Sequence, residues 1–251
     1  MIIDYPKPEH RSQLWALWKQ AFGDEDAFLE AFFSTAYSSQ RCLCAMHRGV
    51  VAGALYWFDC QWEDKRLAYL YAVATEKGFR GQGVCRTLME GTHSRLKQLG
   101  YDGCVLVPCS AELFAMYEKL GYTTCGYIRQ FSCDKGEAVP VRQLTAAQYA
   151  QLRRQYLPAG GVIQEGQTLR FLQTQGGFYR TENGVLACAP YQDRLVITEF
   201  LGDTSVAPGV LGALGYDRGT VRTPGGDMPF AMYHPLTDHT HRPAYFGLAL
   251  D

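Results

Sequence analysis

The chain of 251 residues carries 24 Lys and Arg against 25 Asp and Glu, a formal net charge of −1, and is 47% hydrophobic. This composition supplies enough apolar residues for one large or two small folded domains. Because the sequence has no basic run, it does not favour a nucleic acid or an anionic membrane as a partner.

Cysteine usage and the N-terminal residues predict the cellular compartment. The nine Cys are odd in number and scattered, and no Cys-x-x-Cys pair is present, so we expect buried thiols rather than disulfides or a metal site. Residues 1–6 lack the basic start and cleavage site of a secretion signal, and no segment approaches the roughly 20 apolar residues of a membrane span. We therefore expect a cytoplasmic protein without a membrane partner.

The first third of the chain predicts two helices followed by a strand meander. Apolar residues recur at helical spacing over 9–22 and 24–36. Short apolar runs separated by turns predict strands near 42–47, 50–58 and 66–74, and the last of these is apolar and aromatic, as in a buried strand. A long helix is predicted to begin at residue 84 and to end before Gly100.

The turn between the third strand and the long helix is rich in glycine and arginine. Gly81 and Gly83 allow a ligand to approach the backbone, and the N–H groups that open the helix favour an anion. A P-loop needs Lys and Ser or Thr after its last Gly, where this chain has Val84 and Cys85. A dinucleotide-binding fingerprint needs a third Gly where Arg86 stands. The turn therefore predicts an anion site of another kind.

A second motif follows a predicted strand at 104–107. Ser110 is suited to cap a helix that carries apolar residues and Tyr117 on one face, and Gly121 lies just past its end. A further strand is predicted near 122–133. A Tyr on an apolar helix face is more often a core residue than a catalytic one, so the functional interpretation of Tyr117 depends on the upstream turn.

The two motifs together resemble those of the GNAT superfamily of N-acetyltransferases. Residues 80–85 fit the acetyl-CoA loop pattern Arg/Gln-x-x-Gly-x-Gly/Ala, except that Cys85 replaces the final Gly or Ala. Residues 113–122 are similar to the family helix Phe-Tyr-x-Lys-x-Gly-Phe, whose Tyr stands beside the CoA sulfur, and Tyr117 occupies that position.

The resemblance implies direct transfer of an acetyl group from acetyl-CoA to a primary amine of a small molecule. Tyr117 would act as the general acid, and the backbone of Val73 would polarise the thioester carbonyl. The residues that the resemblance assigns to cofactor binding are Val73, Arg80, Gly81, Gln82, Gly83, Val84, Cys85 and Arg86.

The general base is the open part of this interpretation. Many relatives use a Glu on the central strand, and residues 67–72 contain no carboxylate. The candidates for the base or for substrate contact are Tyr69, Tyr71, Glu112, Glu199, Asp251 and His47. Two other functions stay open, namely a non-catalytic acyl-CoA-binding module and a peptide or protein N-acyltransferase. The sequence also leaves open whether the protein forms a homo-oligomer.

The remaining residues repeat the first half imperfectly. Four short matches are collinear, and they join residues 48–54 with 183–189, 66–67 with 194–195, 99–102 with 214–217, and 114–117 with 230–233. Between 198 and 212 the second copy has no Arg-x-x-Gly-x-Gly, so we expect one cofactor site. The apolar end of the chain, residues 245–250, favours an edge strand over a docked tail.

The predicted fold is α/β (α+β) with two GNAT-like domains, each a mixed, mostly antiparallel sheet flanked by helices. Residues 1–135 would bind acetyl-CoA, and residues 136–251 would form a reduced domain without the CoA loop. This organisation resembles the two-domain GNAT group related to the enhanced-intracellular-survival acetyltransferases.

Overall fold

The computed structural model describes residues 1–238 and 241–250, which form two compact units. Unit 1 comprises Met1–Cys60, Asp64–Thr123 and Tyr233–Thr240, and unit 2 comprises Gln61–Glu63, Thr124–Met232 and His241–Asp251. The predicted α/β class is confirmed, because each unit combines a mixed sheet with α-helices.

Most of unit 1 consists of the elements predicted from the first half of the sequence. Its strands and helices are β1 (Ile2–Asp4), α1 (Arg11–Phe22), α2 (Asp26–Thr35), β2 (Cys42–His47), β3 (Val50–Trp62), β4 (Lys65–Thr75), α3 (Val84–Gln98), β5 (Gly103–Leu106) and α4 (Ala111–Glu118). Strand β1 was not predicted, because three residues are too few to show a period of two.

Helices α1 and α2 bury aromatic faces against the sheet of unit 1. Trp18 is almost completely buried, and its ring centroid lies 4.5 Å from that of Phe32 and 5.3 Å from that of Tyr56 on β3. Burying each such side chain contributes about 1.5–3 kcal/mol. This core holds β3 and β4 in place and so fixes the position of the glycine-rich turn that follows β4.

Strands β4 and β5 are parallel and pair over a short distance. Leu67 pairs with Gly103, Ala68 with Cys104 and Tyr69 with Val105, all at the start of the two strands. Strand β5 then ends at Leu106, whereas β4 continues to Thr75. The second half of β4 therefore runs beyond its parallel neighbour.

Unit 2 is built from the following elements. They are β6 (Thr123–Asp134), β7 (Arg142–Leu144), α5 (Ala146–Tyr156), β8 (Ile163–Gln164), α6 (Gln167–Gln175), β9 (Gly177–Thr181), β10 (Gly184–Tyr191), β11 (Arg194–Gly202), α7 (Ala207–Leu214), β12 (Arg218–Pro224) and β13 (Met228–Pro235). Helix α5 begins with a capping box, in which the Thr145 hydroxyl accepts from the Gln148 N–H and the Gln148 side chain accepts from the Thr145 N–H.

The first six strand positions follow the same order in the two units. Unit 1 has the order β1-β2-β3-β4-β5 followed by residues 233–235 of β13, and unit 2 has the order β7-β9-β10-β11-β12-β6 followed by residues 228–232 of β13. In both units an antiparallel meander leads into one parallel pair, which is β4 with β5 in unit 1 and β11 with β12 in unit 2. In each unit, the strand that follows the parallel pair comes from the other half of the sequence, β13 in unit 1 and β6 in unit 2.

The compact units therefore differ from the consecutive halves 1–135 and 136–251. Strand β6 lies almost entirely in unit 2, although the sequence assigned it to the first domain, and residues 233–238 belong to unit 1. A sequence pattern reports a strand but not its neighbours, so this exchange was not predictable. The assignment of the two halves as homologous repeats stays a prediction.

Three of the four predicted repeat matches fall on equivalent elements. They lie at the β2–β3 and β9–β10 turns, at the starts of β4 and β11, and at the ends of α3 and α7, where Gly100 and Gly215 both have φ of +78°. The fourth match is wrong, because residues 114–117 lie in α4 and residues 230–233 lie in β13. Only residues 225–227 join β12 to β13, which is too short for a helix equivalent to α4.

The predicted edge strand at the end of the chain is also wrong. Residues 245–250 are buried in unit 2 and form only an isolated bridge, between Gly161 and Tyr245. The Gln164 side-chain amide holds this segment, because its Nε2 donates to the Leu248 carbonyl at 2.6 Å and its Oε1 accepts from the Leu248 N–H at 3.1 Å. The segment is therefore a docked tail, which was the less favoured of the two predictions from the sequence.

Candidate active site

The glycine-rich turn of unit 1 presents backbone to open space at the start of α3. Gly83 is the N-cap residue with φ of +77°, and Gly81 has φ of +75°, which are left-handed values that side chains disfavour. A Cβ atom added at either position would meet no atom within 4 Å. The first N–H groups of a helix have no partner within it, so the α3 amides can bind an anion there.

Local hydrogen bonds fix the shape of this turn. The Arg80 Nε donates to the Thr75 carbonyl at 3.2 Å, and the Gln82 Nε2 donates to the Gly78 carbonyl at 2.9 Å. The Glu76 carboxylate accepts from the Gly78 N–H at 2.7 Å. Arg80 is exposed, so its guanidinium adds positive charge where the anion would lie.

The cofactor-binding residues predicted from the sequence lie on this turn, on the first turn of α3 and on β4. Val84 is buried beneath the helix, and Cys85 is partly buried. The Arg86 side chain is exposed and lies 3.6 Å from the Glu90 carboxylate, so its contribution to an anion site would come from its backbone N–H. The structure brings these residues together as predicted, and their role in binding stays a prediction.

Strand β4 has an irregular backbone at the point where it runs beyond β5. Ala72 has φ of +49°, a value that is uncommon for residues other than glycine and that often marks a functional site. Tyr71, Ala72 and Val73 are all partly exposed, whereas residues 67–70 are buried. The Val73 backbone is therefore accessible next to a local distortion of the strand. Sequence reasoning missed Ala72, because an alanine in an apolar run gives no signal for a left-handed conformation.

Tyr117 lies near the end of α4, a helix capped by the Ser110 hydroxyl, which accepts from the Leu113 N–H at 3.3 Å. The Tyr117 side chain is 6% exposed. Burial raises the pKa of its hydroxyl, and the nearby thiols of Cys85 and Cys109 raise that pKa further. Tyr117 is thus protonated at neutral pH and lies close to the first turn of α3.

A buried polar cluster supports Tyr117 from within unit 1. The Tyr117 ring contacts the Tyr122 ring at a centroid distance of 5.6 Å, and the Tyr122 hydroxyl lies 2.8 Å from the His93 Nε2 on α3. His93 stacks on His234 at 4.2 Å, and the His234 Nδ1 lies 3.0 Å from the Gly121 carbonyl oxygen. Sequence reasoning missed this cluster, because His234 reaches it from the distant end of the chain.

Two of the predicted base candidates are unsuited to that role. The Glu199 carboxylate is fully buried in unit 2 and accepts hydrogen bonds from Arg153, Tyr149 and Tyr245 at 2.6–3.0 Å, so all of its oxygen lone pairs face donors. Glu112 is exposed in the first turn of α4, and hydrogen bonds from the Ser110 side chain and from its own backbone lower its pKa. A carboxylate stabilised in this way is a weaker base.

The other candidates lie elsewhere. Tyr69 and Tyr71 lie on β4 with ring centroids 6.1 Å apart; Tyr69 is buried, whereas Tyr71 is partly exposed and its ring lies near those of Trp18 on α1 and Phe32 on α2. His47 is exposed at the end of β2, where its ring lies 5.5 Å from that of Phe79. Asp251 lies outside the described residues.

Helix α7 of unit 2, which corresponds to α3 in unit 1, begins differently from α3. Helix α7 follows a short turn at Thr204–Val206 and carries Pro208 in its first turn. The Asp203 carboxylate accepts from the Ser205 N–H at 3.0 Å, which places negative charge beside the helix start. These features do not suit a second anion site of the same design.

Two observations concern metals and membranes. Within residues 1–238 and 241–250, no group of three or more His, Cys, Asp or Glu side chains is arranged to hold a metal ion. None of the helices in this part of the chain combines the length and the apolar character needed to cross a membrane.

The chain is similar to known proteins in sequence over its first half and in fold over nearly all of its length. Residues 3–125 match the acetyltransferase (GNAT) domain family. No curated protein matches the chain.

Solved structures share the fold at low identity. A GCN5-related N-acetyltransferase from Kribbella flavida has a TM-score of 0.68 at 17% identity, and the match covers 94% of this chain and 72% of that one. Eis1 from Mycobacterium abscessus has a TM-score of 0.68 at 11% identity, with 94% and 74% covered. A GCN5-related N-acetyltransferase from Sphaerobacter thermophilus has a TM-score of 0.55 at 11% identity, with 98% of both chains covered.

The segment that matches the family, residues 3–125, contains the main elements of the candidate site. It includes β4 with Val73, the turn with Gly81 and Gly83, and the helix with Tyr117. This match supports acyl-CoA-dependent acetyl transfer as the general activity, with acetyl-CoA as the co-substrate. Residues 3–125 of the chain are thus similar in sequence to the acetyltransferase (GNAT) domain, and they contain the candidate site.

Proposed function

We propose that this protein transfers the acetyl group of acetyl-CoA to a primary amine of a small molecule, at one site in unit 1. Two observations together carry the proposal. The glycine turn at the start of α3 is open and left-handed, and the buried, protonated Tyr117 lies near Cys85 in the first turn of α3. The predicted domain role of residues 1–135 is part of this proposal.

Cofactor binding follows from the geometry of the turn. The open space before Gly81 and Gly83 admits a pyrophosphate against the backbone, where a side chain would fill that space. The N–H groups of residues 82–86 would donate to it, and Arg80 would add charge. The rest of the cofactor would then lie along the part of β4 that runs beyond β5.

Tyr117 and the Val73 backbone would carry out the chemistry at the thioester. The Val73 N–H would polarise the carbonyl, and the left-handed Ala72 would set its direction. Because its pKa is raised, Tyr117 keeps its proton at neutral pH and can donate it to the sulfur as the thiolate leaves. The amine must lose a proton before attack, and with Glu199 engaged in unit 2 we propose that water held by Tyr69 and Tyr71 removes it.

A screen of amines with acetyl-CoA and detection of free thiol tests the proposal. We expect thiol release with at least one small primary amine and a loss of that release in Tyr117→Phe. Binding of acetyl-CoA without thiol release from any amine would instead favour a non-catalytic acyl-CoA-binding module. Release with peptides alone would favour a peptide or protein N-acyltransferase.

A further inference from the structure

A second pocket lies in unit 1, at the end of α3 remote from the glycine turn. Its volume is about 570 Å³, within the range of small-molecule sites, and its lining includes Tyr5, Arg41, Trp57, Arg66, Leu99 and Tyr101. Helix α3 has 15 residues and is therefore about 22 Å long, with the glycine turn at its start and Leu99 just past its end. We name this site the Arg41–Arg66 pocket.

The polar groups of the Arg41–Arg66 pocket form one connected network. The Asp59 carboxylate pairs with Arg41, accepts from the Tyr101 hydroxyl, and lies 3.2 Å from Arg66 Nη2. The Tyr101 hydroxyl accepts from Arg66 Nη2 at 2.8 Å and from Trp57 Nε1 at 3.2 Å. These contacts hold both guanidinium groups in fixed positions before any ligand arrives.

The pocket has an aromatic as well as a cationic character. The Arg66 guanidinium stacks 3.8 Å above the Tyr101 ring, and the Trp57 indole is almost fully buried beside it. On the other side, Tyr5 is covered by the guanidinium of Arg95 at 5.2 Å. A flat apolar group can pack against such rings while its charged end reaches an arginine.

The charged residues that line the pocket are both cationic. They are Arg41 and Arg66, whereas the Asp59 carboxylate that pairs with both is not among the lining residues. A second carboxylate, that of Asp102, accepts from the Arg66 backbone N–H at 2.9 Å. The pocket thus presents guanidinium groups to a ligand, and these favour an anion over a neutral molecule of the same shape.

Unit 2 contains a pocket at the equivalent place in its sheet, and this comparison separates fold from function. That pocket has a volume of about 400 Å³, and Leu214 and Tyr216 line it where Leu99 and Tyr101 line the first. The fold thus produces a hollow at the end of this helix in either unit. Its lining residues include Thr174, Cys188 and Leu195 but neither Arg nor Lys among the described residues, so arginine side chains line this hollow in unit 1 and not in unit 2. Arg194, which matches Arg66 in the repeat, does not line the unit 2 pocket.

We propose that the Arg41–Arg66 pocket binds a small organic anion with a planar body and a carboxylate or phosphate head, at a site separate from the acetyl-transfer site. The head would contact Arg41 and Arg66, and the planar body would pack between Tyr5 and Tyr101. This proposal does not depend on the acceptor amine or on catalysis.

Ligand-observed NMR titration of the full chain tests the proposal with benzoate, phenyl phosphate and the neutral benzamide. We expect one of the two anions to bind at least about tenfold more tightly than benzamide, since hydrogen bonds to a charged head are roughly twice as strong as those to a neutral one. Tighter binding of benzoate would identify a carboxylate head, and tighter binding of phenyl phosphate a phosphate head.

Variants locate the binding. Arg41→Gln should weaken anion binding about tenfold, whereas Arg218→Gln, which removes an exposed arginine paired with Asp193 in unit 2, should leave it unchanged. If Arg41→Gln does not fold, Tyr5→Ala, which is outside the Asp59 network, takes its place in the comparison with Arg218→Gln. The proposal would be overturned if neither benzoate nor phenyl phosphate binds more tightly than benzamide, or if Arg41→Gln and Arg218→Gln have equal effects.

Discussion

The rings of Tyr117 and Tyr122 meet edge to face in unit 1, with their centroids 5.6 Å apart and their planes at 62°. Tyr122 is fixed by the His93 side chain at 2.8 Å, so it forms a rigid wall against which Tyr117 packs. The position of the proposed acid is therefore set by ring packing, which does not need the Tyr117 hydroxyl.

Tyr117→Phe should for this reason lower turnover while preserving the fold and the affinity for acetyl-CoA. Loss of a general acid costs about 10²–10⁴-fold in rate. Thiol release gives the rate, and calorimetry gives the affinity, which we expect to change less than about twofold. Tyr122→Phe is the matched control, because it removes a hydroxyl from the same cluster and should affect stability more than turnover. Equal turnover in Tyr117→Phe and the wild type would remove Tyr117 from the mechanism.

Gly83→Ala should weaken the binding of acetyl-CoA. The methyl group would project into the space proposed for the pyrophosphate, and the left-handed φ of +77° would add roughly 1 kcal/mol of strain. Gly215→Ala is the matched control, since Gly215 has φ of +78° and equally open surroundings but caps α7 in unit 2. Both variants should lose similar stability in urea denaturation. An equal affinity for acetyl-CoA in the two variants would argue against the glycine turn as the cofactor site.

His93 should make the protein less stable in acid. Burial and, to a smaller extent, the neighbouring His234 lower the pKa of His93 to about 3, so between pH 6.5 and 3 the unfolded chain binds the proton that the folded chain excludes. The stability contribution is full above pH 6.5 and is lost as the pH falls, by at most about 1.4 kcal/mol per pH unit. Urea denaturation of His93→Gln at several pH values should show a shallower decline than the wild type. His47→Gln, at an exposed position, should keep the wild-type decline, and a result in which His93→Gln also keeps it would contradict the account.

Arg153 and Glu199 form the buried ion pair of unit 2, with Arg153 Nε 2.6 Å from Glu199 Oε2 and the side chains 3% and 0% exposed. Glu199→Gln or Arg153→Met alone should lower the free energy of unfolding by about 3–5 kcal/mol, because each leaves a buried charge without its partner. The double variant Arg153→Met with Glu199→Met should lose less than either single one. Arg154→Gln breaks an exposed pair with Glu165 and should cost at most about 1 kcal/mol. Similar losses for Arg153→Met and Arg154→Gln would show that the buried pair has no special weight.

Local sequence patterns predicted most of the elements in unit 1. The apolar period over α1, the capping Ser110 and the glycines before α3 each act within a few residues, so their signals are visible in the sequence. The same argument holds for the candidate site as far as Arg80, Gly83 and Tyr117, which lie on two short motifs.

Long-range contacts were not predictable in the same way. Gly103 lacks a side chain at a point where a Cβ atom would collide with the ring of Tyr233, which joins unit 1 from the far end of the chain. The match of 114–117 with 230–233 failed because similar residues there serve a helix in one place and a strand in the other. The Glu199 carboxylate is held by Arg153, which is 46 residues away, and no local pattern reports such a pairing.

Calorimetric titration of the full chain with acetyl-CoA tests the central claim most directly. We predict saturable binding with one site per chain, strongly weakened in Arg80→Ala and unchanged in Arg218→Gln, an exposed arginine of unit 2. Absence of binding by the wild type, or two sites per chain, would contradict the account.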